Sequence, residues 1–192
     1  MRSNRGTAGH LGTLILCLFI GSLALGACGT PSKKPPAKTT TTTTVKHTTL
    51  TSCSTALLQI KAAFGGTAAG GSYYQFSATN TSPKTCAING YPKLAFFAPN
   101  AAGGAGAGSS VEMSVTNSGA SPTTLKLKTG ATAEFLMTYT DVPVNGEGCS
   151  AVGSVNVTPP HQGESLPVAI SFSPCGGVVK VQPFAQPGTE NP

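Results

Sequence analysis

The chain has 192 residues, a formal charge of +6, no Trp and only 6% aromatic residues. That length provides one domain of ordinary size with extensions, and its core must be light. The charge belongs to the first quarter: from Leu50 onward six lysines meet six acids and there is no Arg, so the basic face that displaces phosphate counterions is missing and no nucleic-acid partner is expected.

The first element is a sorting signal. Arg2 and Arg5 form a positive start, an apolar core runs from Leu11 through Leu14–Ile20 to Leu25, and Leu25-Gly26-Ala27-Cys28 closes it. An aliphatic residue three before a Cys, followed by two small residues, is the pattern cut by signal peptidase once the thiol is diacylated, so Cys28 is expected to carry the lipid. An uncleaved membrane anchor is the competing reading. The stretch is broken by Gly12, Thr13, Gly21, Ser22 and Gly26, and it is marginal for the ~20 apolar residues a span requires. The expected address is the extracytoplasmic face of the cell membrane.

Residues 28–52 read as a disordered tether. Pro31, Pro35, Pro36, the run Thr39–Thr44 and Lys33, Lys34, Lys38 and Lys46 offer nothing to bury against the entropy of ordering. The lysines lie where cations favour anionic lipid headgroups. A bare spacer and an O-glycosylated stalk both fit this composition.

The domain proper spans residues 53–184, with a short tail over 185–192. Its apolar residues alternate. The expected strands are Tyr73–Ala78, Leu94–Ala98, Val111–Val115, Leu125–Leu127, Ala133–Thr140, Val155–Val157, Val168–Phe172 and Val178–Val181. Thr81-Ser82-Pro83, Asn89-Gly90, Asn117-Ser118-Gly119 and Pro159-Pro160 punctuate them. About eight short strands at this spacing predict an all-β, antiparallel, immunoglobulin-like sandwich. The one place for a helix is Ser54–Ala63. The Gly-rich run Ala101–Gly108 lies between two strands and lacks the helix N-terminus that a phosphate loop needs, so it reads as a mobile connection. Met113 and Met137 sit in strand patterns and read as core filler.

Four cysteines remain in the domain, Cys53, Cys86, Cys149 and Cys175. An even number in an exported domain implies two disulfides, whereas zinc favours close ligand pairs. Of the three pairings we expect the sequential one, Cys53–Cys86 with Cys149–Cys175. No metal or other cofactor is expected. A Ser-His-Asp hydrolase would have to combine His161 with Asp141 and a serine, and the nearest elbow-like string, Gly119-Ala120-Ser121-Pro122-Thr123, lacks the second Gly of G-x-S-x-G. The six acids show no paired-carboxylate motif for glycoside hydrolysis.

Several segments carry a resemblance: Cys53-Ser-Thr-Ala-Leu57, Tyr74-Gln-Phe76 leading to Thr79-Asn80-Thr81-Ser82, and Cys86-Ala-Ile-Asn-Gly90-Tyr91-Pro92. Thr129-Gly130-Ala131-Thr132-Ala133, Val157-Thr158-Pro159-Pro160, Cys175-Gly176 and Val181-Gln182-Pro183-Phe184 continue it. Together they resemble a family of exported actinobacterial, mycobacterial-type lipoproteins catalogued as domain of unknown function 4232. Thr129, where the pattern has Pro, and the long Ala101–Gly108 run depart from it. The resemblance implies fold and address and no reaction. The leading expectation is therefore a non-catalytic module that binds an envelope protein, a glycan or a lipid. Tyr91 is its candidate surface contact, although packing is the commoner role for such a ring. A hydrolase centred on His161 and a purely architectural spacer are the alternatives. The sequence sets no oligomeric state.

Overall fold

The computed structural model describes residues 50–68, 71–100, 104–143 and 146–189. The signal, Cys28 and all but the last three residues of the expected tether lie outside these described residues. The strands are β1 (Leu58–Ala68), β2 (Gly71–Asn80), β3 (Cys86–Ile88), β4 (Lys93–Phe97), β5 (Ser110–Val111), β6 (Ser114–Asn117), β7 (Leu125–Leu127), β8 (Thr132–Tyr139), β9 (Val152–Thr158), β10 (Leu166–Phe172) and β11 (Val178–Val181).

Alternation creates the layers. In β2 every second residue from Ser72 to Asn80 is buried, and β7 and β10 show the same period. One sheet has the order β1-β2-β8-β11-β6 and the second β10-β9-β4-β5, while β3 and β7 form a two-stranded third. All neighbours are antiparallel except β6 and β11, which run parallel. The result is an immunoglobulin-like β-sandwich. Its aromatic centre is the Phe76–Phe135 stack at 4.6 Å, with Phe184 edge-on to Phe135 at 5.0 Å and Phe172 against Tyr139 at 4.7 Å. Met137 is fully buried and Met113 packs on the core from its rim.

Two elements differ from expectation. The expected helix over Ser54–Ala63 is one 3₁₀ turn, Thr55–Leu57, followed directly by β1. Leu58, Ile60 and Ala62 pack inward at period two opposite Asn80, Ala78 and Phe76, and this pairing overrides any local helical tendency. The expected strand Val111–Val115 breaks in two. Val111 pairs with Phe96 in one sheet, and Ser114 pairs with Val178 in the other. A chain that crosses between sheets in this way joins them along one side. On the opposite side β1 lies against β10, and the Tyr74 hydroxyl donates to Ser171 O at 2.7 Å.

Strand directions give the sandwich two distinct ends. At the Asn80 end β1 begins, β2 finishes, β8 begins and β9 finishes. At the Asp141 end β8 finishes, β11 begins and Cys175 N donates to Thr140 O at 2.8 Å. Each end has its own disulfide, and the pairing is sequential: Cys53–Cys86 and Cys149–Cys175. Of the Gly-rich run, residues 104–108 are described. They lie back on the sheet, with Gly106 N donating to the Ser154 hydroxyl at 2.8 Å.

Candidate binding cleft

The parallel pair β6–β11 ends in a split. Ser118 N donates to Val181 O at 2.8 Å where the pair ends. Gly119 then takes φ +82°, a conformation that L side chains resist, and turns its strand away. The other strand keeps its course along β8, with Gln182 N bonded to Leu136 O at 2.9 Å and Ala185 exchanging two hydrogen bonds with Glu134. Between the parted segments lies a cleft of about 420 Å³. Ala120, Ser121 and Thr123 form one wall, and Gln182, Gln186 and Thr189 stand on the other. Leu125, Pro183 and Phe184 give it an apolar floor, which is the back of the Phe135–Phe184 contact.

Among the described residues no ionisable side chain lines this cleft. Its polar groups are hydroxyls and amides. A neutral ligand that combines apolar surface with hydrogen-bonding groups matches the described lining.

Motifs distant in sequence build the wall together. Phe184 N donates to Gly90 O at 3.0 Å, and the Asn89 amide donates to the Thr124 hydroxyl at 2.8 Å. Gly90 has φ +119°, and a Cβ there would stand 3.2 Å from Pro160. Both the torsion and the contact therefore call for glycine. Tyr91 is half-buried against the core, and its hydroxyl donates to Ala120 O at 3.2 Å. It braces the wall and does not line the cleft.

The other predicted site residues are placed elsewhere. His161 is exposed, with φ +61°, in the turn that Gln162 N closes onto Pro159 O at 3.2 Å. It follows β9 at the Asn80 end. Asp141 sits at the opposite end, where its carboxylate accepts from the buried Ser72 hydroxyl at 2.7 Å. The seven residues of β9 run between these ends, about 23 Å of extended chain, so His161 and Asp141 do not form a triad. Near Asp141, burial pushes the Tyr139 phenol above its ordinary range, partly offset by a hydrogen bond with Ser72. Among the described residues no group of three or more His, Cys, Asp or Glu could hold a metal ion. Sequence reasoning missed Ser121, Gln182 and Gln186 as cleft residues, because the cleft exists only where separated segments diverge.

Residues 53–185 match the family described as Domain of unknown function (DUF4232). The chain belongs to the DUF4232 family. No curated protein and no solved structure matches it. The match spans both disulfides of the DUF4232 domain, the Gly90-Tyr91 bend and the Gln182–Ala185 wall.

Proposed function

We propose that this DUF4232 protein is a cell-envelope lipoprotein, held on the extracytoplasmic face of the membrane by lipid on Cys28, whose sandwich is a non-catalytic binding module. The uncharged cleft carries the reading. A concave apolar floor with convergent neutral hydrogen-bonding groups is the ordinary form of a binding site, and none of the described lining residues supplies a general base or nucleophilic pair. Its ligand is a neutral segment of an envelope protein, a glycan or a lipid.

A photo-crosslinker placed at Ser121 or Gln186 in the native envelope tests this, with the same group at Gln59 on the far strand β1 as control. The expected result is one adduct of defined mass from both cleft positions and none from Gln59. Equal labelling at all three positions would remove the cleft from consideration.

The anchor is tested separately. Cys28→Ala is expected to leave an unprocessed precursor, because the thiol that must be acylated before cleavage is gone. Wild-type protein that partitions into the aqueous phase of a detergent separation, with no acyl mass, would refute the lipoprotein reading.

A further inference from the structure

From Leu50 onward the charges cancel, but the fold sorts them by end. Lys84 lies in the turn that closes the Asn80 end, Lys93 opens β4 opposite Thr158, and Lys126 and Lys128 sit in and just after β7. The Asn80 amide donates to Lys84 O and Leu127 O, each at 2.9 Å, so Lys84 is held beside Lys128. Glu164 is an acid at this end. The opposite end carries Asp141 and Glu147, with Glu112 just before β6, and its nearest lysine is Lys180, paired with Thr138 next to the end of β8. Lys61 and Glu134 share one row across Ser77, nearer the Asn80 end, where they offset each other. All four lysines of the basic end are exposed, and none makes an ion pair among the described residues.

The chain also enters the domain at that end. Thr51 O accepts from Ala87 N and Cys53 N donates to Ala87 O, both at 2.9 Å, and Ala87 pairs with Lys126. The segment arriving there is the one with Lys33, Lys34, Lys38 and Lys46. A tether alone leaves a domain free to tumble. A charge dipole whose positive pole is also the attachment point does not, because each lysine near an anionic leaflet favours the bound state by about fivefold. We infer that the domain stands end-on, with its β3–β7 end against the anionic headgroups of the bilayer that holds its anchor. This rests on the lipoprotein reading above.

The experiment uses the full chain purified from membranes and reconstituted into phosphatidylglycerol or phosphatidylcholine vesicles, then exposed to a water-soluble amine-acylating reagent. In phosphatidylglycerol, Lys84, Lys126 and Lys128 should react about fivefold more slowly than Lys61 and Lys180, and about 0.5 M salt should abolish the difference. K126Q/K128Q should free Lys84 without changing the melting temperature, since both residues are exposed. Lys84 that stays protected in that variant overturns the proposal. A chain that enters both vesicles but reacts evenly in phosphatidylglycerol overturns the docking and leaves the anchor standing. A chain that enters neither overturns both. Protection of these lysines by soluble DNA, with none from vesicles, would show a nucleic-acid surface instead.

Discussion

Asn80→Ala is expected to cost about 3–4 kcal/mol of folding stability, read as a fall in the urea midpoint. Asn80 is completely buried. Its amide donates to Lys84 O and Leu127 O, and its Oδ1 accepts from Ser82 N at 2.9 Å. Its own backbone is paired with Gly130 N and Ala131 O. Alanine would take this partner from Leu127 O and Ser82 N where water has poor access, at about 1–3 kcal/mol for each buried orphan, while Lys84 O keeps the Ser82 hydroxyl as a donor. Asn80→Asp should be at least as damaging, because a carboxylate keeps the bond from Ser82 N and faces two carbonyls it cannot donate to. A loss below about 1 kcal/mol in both variants would show that this turn does not depend on the amide.

Removal of either disulfide should have an effect of similar size. Cys53–Cys86 closes 33 residues and Cys149–Cys175 closes 26. Chain entropy then gives about 3.5–4 kcal/mol for each bridge. C53A/C86A and C149A/C175A should each lower the denaturation midpoint by a corresponding amount, and the domain lacking both should fail to fold at 37 °C. The bridges differ in access: Cys149 is exposed, whereas Cys53 and Cys175 are buried. Under graded reductant Cys149–Cys175 should therefore open first. Opening in the reverse order, seen by mass mapping of alkylated thiols, would contradict the burial argument.

Most of the fold was legible in the sequence, for a definite reason. β2, β8 and β10 bury one face, so the pattern of their side chains records their conformation. β1 was not legible. Lys61 and the near-helical spacing of its apolar residues concealed a strand whose pairing with β2 decides its shape. β3 was too short to show a period at all. The break between Val111 and Ser114 was hidden because both halves keep the alternation while changing sheets. The cleft was the least legible part. Tyr91 could be singled out, but its role as a brace for Ala120 depends on a contact across 29 positions. Net charge was informative about the whole domain and silent about its ends, since strand direction, not composition, separates Lys84 and Lys128 from Asp141 and Glu147.

The position of the Cys53–Cys86 bridge has a mechanical consequence. Any pull transmitted along the N-terminal arm meets the Thr51–Ala87 hydrogen bond and then Cys53, and from there a covalent link leads to β3. Tension is thus shared between the backbone entering β1 and a bond that thermal forces do not break, before the β1–β2 ladder is loaded in full. A partner held in the cleft would draw on the wall at Ala120 and Phe184, which Tyr91 and Gly90 tie to the segment just after Cys86. The line of force from arm to ligand can therefore run through the bridge and the Asn89–Tyr91 bend. The two large sheets would then bear little of the load.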